Sequence, residues 1–405
     1  MNRCYLCRSQ AVRSLLEFKD QPVCNRFLTD PLAEQYRHDL VAGQCGNCGL
    51  LQLIDPVPAR ELISPYEWIT YSEPEGHLDK LADMLAELPG LTPHSVIAGI
   101  SFKDDSLLRR LNERGFANSW RLDPQVDLGI GVKGAGIETL QDRLTPERAE
   151  IILRHHPPAD LLIMRHVWEH SFEPRRLIAA VRKLLSPQGY LVLESPDCSP
   201  ALSGGDYTTL WEEHNLYFTL PTFRAGLSQV GLEPVRLECF PYASENSLVA
   251  IGRFTPEPVE AESKRGRLPT AKVLQEKIKR AETFARTFPK TRERVRNLLA
   301  GHRAPGGRIA VFGAGHLACA FINFLELKDL VECVVDDHPK KKGLFMPGSA
   351  LPIYGSEELL KRQITLCLLS LNPESEEKVM ARQQAFVQQG GRFASIFPAS
   401  KHALR

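Results

Sequence analysis

Two cysteine pairs constrain this chain more than any other feature. Cys4-Tyr5-Leu6-Cys7 and Cys45-Gly46-Asn47-Cys48 are both Cys-x2-Cys knuckles. Four thiolates are the number and kind of ligand that close a tetrahedral zinc site, and the x2 spacing lets both sulfurs of a pair face one ion. Cys4, Cys7, Cys45 and Cys48 are therefore expected to hold Zn2+. Because four sulfurs leave no position for water or substrate, the ion's expected role is structural. Gly46 and Gly49 permit the tight backbone of a knuckle. The pairs lie further apart than in an ordinary zinc ribbon, which predicts an inserted hairpin or loop. Cys24 has no paired cysteine and reads as a small packing or cleft residue.

A single small module does not account for 405 residues and 45.4 kDa, so two or three domains are expected. The net charge of +1, with no block of one sign, argues against a nucleic-acid or membrane-surface partner. No apolar run approaches the ~18–20 residues of a membrane span, and the first residues lack an apolar signal core. The expectation is a cytoplasmic protein, monomeric or homodimeric, with reduced cysteines.

Strand and helix patterns alternate through the middle of the chain. Ser95–Ile100 reads as a buried strand, Ser101–Ser106 as the turn after it, and Leu107 onward as a helix. Trp120–Asp123, Asp160–Met164 and Gly189–Glu194 read as further strands, with a helix from Pro174 to Leu185. Such alternation predicts a parallel α/β sheet with its ligand site at the carboxyl ends of the strands. Asp123 is placed there either to hold a ribose or to cap its strand. His166 is placed to touch ligand or to serve as a structural polar residue. His166 and His170 have the spacing of a helical metal pair, but the sequence offers no evident third ligand.

The stretch Leu210–Thr219 carries Glu213, His214 and Tyr217. An imidazole can exchange a proton near neutrality, and an adjacent carboxylate can fix its tautomer. The alternative is a salt-bridged turn with Tyr217 in the core. Tyr71, in the aromatic run before His77, is placed either to reach a substrate or to pack against the next domain. After a Pro- and Glu-containing connection, two charged helices are expected at 270–286 and 289–300, broken near Pro289. Arg308–Ala318 then reads as a strand, a Gly313-Ala314-Gly315 turn and a helix, followed by strands at 331–335 and 366–371. Taken alone, this is a Rossmann-type pattern, with Asp336 where an NAD site would place its ribose ligand.

Several segments together resemble one family: Pro22-Val23-Cys24-Asn25-Arg26-Phe27, Arg165-His166-Val167-Trp168-Glu169-His170, Leu193-Glu194-Ser195-Pro196-Asp197, Glu213-His214-Asn215-Leu216-Tyr217-Phe218 and Gly343-Leu344-Phe345-Met346-Pro347-Gly348, in addition to the cysteine pairs. The chain resembles the three-domain, zinc-containing sugar C-methyltransferases, which use S-adenosylmethionine on nucleotide-linked keto-deoxysugars. The resemblance implies an α/β protein with a zinc-binding module over 1–72. A Rossmann-like class I methyltransferase domain follows over 73–254. A helical connection and a C-terminal Rossmann-like domain holding the nucleotide-sugar complete it over 255–405. It implies His214 as base with Glu213 as partner, and Tyr217, Tyr71 and His166 as oxyanion or substrate donors. It also implies Gly99, Ser101, Asp104, Asp123 and His166 at the methyl donor, and Gly313, Gly315 and His316 at the nucleotide-sugar.

One departure stands out. Where the family has a Glu-Ile-Gly-x-Asn/Asp-Asp-Gly loop, Gly99 replaces the acid, Ser101 the first glycine and Asp105 the last. The second expectation is therefore a silent or repurposed member with an eroded donor loop. It would act as a binding or scaffold protein, or as another sugar-modifying enzyme.

Overall fold

The computed structural model describes residues 2–69, 73–243, 245–255 and 268–405. Among these, three sheets carry the fold. The first is antiparallel, with strands Val12–Pro22, Arg37–Cys45, Leu51–Ile54 and, from far along the chain, Leu216–Tyr217. The hairpin Val12–Pro22/Arg37–Cys45 is the insertion expected between the two cysteine pairs.

The central sheet has the order Ser119–Arg121, Ile97–Gly99, Ala159–Arg165, Leu185–Asp197, Asn246–Phe254, Leu232–Phe240. Its first four strands are parallel. Asn246–Phe254 runs antiparallel to both neighbours, so the all-parallel expectation fails at this edge. Side chains alternate between its faces as the pleat requires. Leu161, Ile163 and Val192 pack with the helices Leu78–Ala86 and Asp105–Glu113. Leu162, Met164, Leu191 and Leu193 join Cys4, Cys45 and Cys48, so the cysteine knuckles share a core with the central sheet.

The third sheet is parallel throughout, ordered Ile353–Tyr354, Cys333–Val335, Ile309–Phe312, Leu366–Leu369, Arg392–Ser395. The helical connection differs from expectation. One helix, Ala271–Arg303, runs straight through Pro289. A proline in a helix interior costs about 3 kcal/mol and a hydrogen bond. Packing opposes that cost. Phe284 and Phe288, in the turns just before Pro289, are buried, Phe18 meets Phe288 edge-on at 4.9 Å, and Tyr207 Oη donates to the Phe284 carbonyl at 2.9 Å.

Candidate active site

The stretch Leu210–Thr219 is where the three sheets meet. Leu216 and Tyr217 pair with Gln52 and Leu51 of the first sheet. Asn215 is stitched to the central domain: its N–H donates to the Glu169 carbonyl at 2.7 Å and its side-chain amide to the His170 carbonyl at 2.8 Å. Trp211 stacks on His316 of the third sheet's glycine turn at 4.3 Å. Cys24 turns its N–H and thiol onto Glu212 at 2.5 and 3.3 Å, and Asn25 donates to Glu213 at 2.9 Å. Cys24 is thus a buried cleft residue, as one of its two readings had it.

His214 lies half-buried among rings, edge-on to His170 at 4.6 Å and tilted against Trp211 at 4.9 Å. Burial, then the charges of His170 and Lys103, hold its imidazole well below the usual histidine range. Burial, then Glu138 and Glu212, push the Glu213 carboxyl well above the usual carboxylate range. Burial also carries Glu212 up to about 7. The expected partnership of Glu213 with His214 takes a different form here, because the Glu213 carboxylate is bonded by Asn25. Tyr217 is likewise occupied. Its hydroxyl donates to the Trp211 carbonyl at 2.9 Å and accepts from the Trp211 N–H at 3.0 Å, closing the turn that carries His214. That geometry makes it a brace rather than a substrate donor. Tyr71 lies outside the described residues.

At the carboxyl edge of the central sheet stands a buried ion network. Asp104 accepts from the N–H groups of Ile100 and Ser101 at 2.8 Å and of Arg165 at 2.9 Å. Arg165 Nε donates to Glu194 at 2.6 Å, and its guanidinium also reaches the Lys103 carbonyl. His166, with a left-handed φ of 50°, lies between Glu169 at 3.2 Å and Glu194 at 3.1 Å. Lys103 pairs with Glu73, and His77 approaches Glu194 at 3.3 Å. Burial alone would push His166 down, but Glu73, Glu169 and Glu194 carry it up to about 10.

This edge tests the expected methyl-donor site. Gly99 packs against the following helix, where an added Cβ would meet Leu108 at 2.9 Å and Asp104 at 3.1 Å. Ser101 is fully buried and caps the N–H of Lys103 at 3.2 Å. Asp123 is exposed and caps its own turn, accepting from Gln125 and Val126 at 2.8 and 2.7 Å. Gly99, Ser101, Asp104 and His166 are thus brought to one edge and Asp123 to a neighbouring turn, but their polar groups are spent on the chain itself. The residues do not form the open glycine cradle in which the resembled family takes S-adenosylmethionine.

The C-terminal turn keeps its glycines. Gly313 has φ 102°, a conformation that favours glycine. The Ala314 N–H donates to Asp336 at 2.8 Å, and Asp336 also takes the His338 N–H at 2.8 Å and Lys341 at 2.9 Å. Burial holds His316 down at about 4.

The cysteine cluster fits zinc. All four sulfurs lie within 4.8 Å of one another, with Cys4–Cys48 and Cys7–Cys45 at 3.6 Å. Tetrahedral Zn–S bonds of about 2.3 Å put sulfurs about 3.8 Å apart. Gly49, at φ 78°, turns the second knuckle.

Several site residues carried no signal strong enough to single them out. Glu73 and Glu138 lie outside any motif and Lys103 sits unremarked inside the Ser101–Ser106 turn, so only their long-range contacts reveal them. Arg165, Glu169 and Glu194 lie inside the quoted motifs, so their place at strand ends was the available clue.

Comparison with known proteins agrees with this layout. A zinc binding domain family matches residues 4–62, a methyltransferase domain family 105–237, and the C-methyltransferase C-terminal domain family 270–398. The C-methyltransferase NovU of Streptomyces niveus is 23% identical over 410 residues, spanning 98% of this chain and 96% of that protein. Among solved structures, an O-methyltransferase family protein from Burkholderia thailandensis aligns with a TM-score of 0.29 at 15% identity, over 45% of this chain and 59% of that one. The 1,6-didemethyltoxoflavin-N1-methyltransferase of the same organism, solved with S-adenosylhomocysteine, aligns with a TM-score of 0.32 at 15% identity, over 45% and 79%. With zinc-binding, methyltransferase and C-methyltransferase C-terminal domain families matched in this order along the chain, it reads as an S-adenosylmethionine-dependent methyltransferase.

Proposed function

We propose that the chain transfers a methyl group to carbon on a nucleotide-linked keto-deoxysugar, or a related keto metabolite, with His214 as the base. The observation that supports this most is the convergence of three units on one stretch. His214 lies half-buried between Trp211 and His170, while Trp211 stacks on His316 of the glycine turn. A carbon beside a ketone is acidic enough to lose a proton to a positioned imidazole, which leaves an enolate. S-adenosylmethionine supplies the methyl group when bound. The chain's own contribution is to remove the proton and to hold the sugar in line, with Gly313, Gly315 and His316 proposed at its nucleotide end. Tyr217 and the Glu212–Cys24 pair keep His214 in place from behind.

Proton removal can be tested without the methyl donor. In D2O, a nucleoside-diphosphate-linked keto-deoxysugar should exchange its α-hydrogen, read by NMR. His214→Asn should slow that exchange on the order of 10²–10⁴-fold. Exchange at an undiminished rate in the variant would remove His214 as base. A second reading, a member that binds but does not turn over, is favoured by the closed network at Asp104 and Arg165. Absence of exchange by the unaltered chain, together with no heat on titration with S-adenosylmethionine, would favour that reading.

A further inference from the structure

With Tyr217 committed to Trp211, the enolate oxygen has no assigned partner, and a cluster beside His214 offers one. Glu138, at the start of the helix Ile137–Arg143, His170 and Glu213 bring two carboxylates and an imidazole together. One ligand atom from each lies within 4.8 Å of the others, and all three residues are buried. His170 is 2% exposed, yet neither of its ring nitrogens has a hydrogen-bond partner among the described residues. Its Nδ1 lies 2.7 Å from Glu138 Oε1 without the alignment of a hydrogen bond. Ligand atoms sharing one cation at bonds of about 2.0–2.2 Å stand roughly 3 Å apart, with no need to point at each other.

Two buried carboxylates side by side repel unless a proton or a cation lies between them. Hydrogen bonding does little to relieve this pair, since Asn25 supplies one donor, to Glu213. Glu169 also approaches His170 and His214, but its oxygens already take His166 and Ser195. It flanks the cluster rather than completing it.

We infer that Glu138, His170 and Glu213 bind a divalent first-row cation at a site separate from the cysteine-held zinc. Carboxylate and imidazole ligands suit Zn2+, Mn2+ or Fe2+. Three protein ligands leave coordination positions open beside His214, where a ketone oxygen can be polarised as its α-hydrogen leaves. That catalytic role rests on the proposed function; binding of the cation does not. The sequence already held His170 at metal-pair spacing from His166, but the structure sets His166 in the ion network and gives His170 two carboxylates from other segments instead.

The test uses Mn2+ alone as probe, on the full chain dialysed against a weak chelator that leaves the cysteine-held zinc in place. Metal analysis and electron paramagnetic resonance should then count one bound Mn2+ beside one zinc. Glu138→Gln and Glu213→Gln should each weaken Mn2+ binding on the order of 10–100-fold, with zinc content and melting temperature retained. His170→Asn serves as the second variant if either fails to fold. No Mn2+ bound by the unaltered chain at roughly 1 mM, or unchanged binding in folded variants, overturns the site and leaves only a buried His170–Glu138 contact. Mn2+ binding without α-hydrogen exchange would keep the site and remove the proposed reaction. Exchange without Mn2+ binding would do the reverse.

Discussion

Two strand-to-helix turns stand at the carboxyl edges of two different sheets, and an aspartate closes each. In the central domain, Asp104 folds back from within the turn onto the N–H groups of Ile100 and Ser101. In the C-terminal domain, Asp336 reaches over from the neighbouring strand end to the N–H of Ala314. The first turn lacks the glycines of the resembled pattern and the second has Gly313 and Gly315, yet in each a carboxylate takes backbone N–H of the turn. Glycine spacing alone therefore does not say whether a turn is open to a phosphate or a methyl donor. What separates the two turns is their surroundings. Around Asp104 lie Arg165, Glu194, His166 and the Lys103–Glu73 pair, nearly all buried. Around Asp336 lies Lys341, at the rim, while His316 faces Trp211 across the domain junction. The same bonds leave Asp336 poorly placed to hold the ribose of an NAD, the rival reading of this turn.

The sharpest way to break the comparison is to remove one carboxylate from each network. Glu194→Ala leaves Arg165 and His166 buried without their shared partner, and an orphaned buried charge costs about 3–5 kcal/mol. Asp336→Ala leaves the Ala314 N–H unbonded and releases Lys341 toward solvent, which should cost about 1–3 kcal/mol. Urea unfolding of both variants measures the difference. Equal losses would mean that the central network is no more tightly coupled than the C-terminal one.

A milder contrast concerns what closes the central turn. If the Lys103–Glu73 pair is the cover, Glu73→Gln should raise affinity for S-adenosylhomocysteine on the order of tenfold, as a competing contact is removed. Ser101→Gly should change it by less than about threefold, because Asp104 still takes the backbone donors. Calorimetric titration decides between them. A gain from Ser101→Gly alone would trace the closure to the lost glycine.

How much of this could be read from the chain depended on how local the signal was. The cysteine pairs, the alternating strands at 97–99 and 159–165, and the Gly313–Gly315 turn are short-range patterns, and they reappear in place. Pro289 was misleading because its penalty is local while the Phe18, Phe284 and Phe288 packing that outweighs it is not. Glu138 was invisible for a related reason. It becomes a site residue only when the helix beginning at Ile137 is laid against His170, and nothing in its own segment announces that contact. Tyr217 stood in a motif that made it look like a donor, and only the short path back to Trp211 reveals its bracing task.

The smallest expected effect bears on the same comparison through salt. Lys341 and Asp336 are partly exposed, with 19% and 14% of their side-chain surfaces open, and such pairs contribute about 0.2–1 kcal/mol. Lys341→Ala should therefore cost less than about 1 kcal/mol, and the cost should shrink as salt is raised from roughly 0.05 to 0.5 M. Arg165 and Glu194 are 1% and 0% exposed, beyond the reach of mobile ions. The cost of Glu194→Ala should accordingly stay constant over the same range. Parallel denaturation curves at the two salt concentrations read both effects. If both costs fall together, solvent reaches the central network, and this edge of the central sheet is more open than its hydrogen bonds imply.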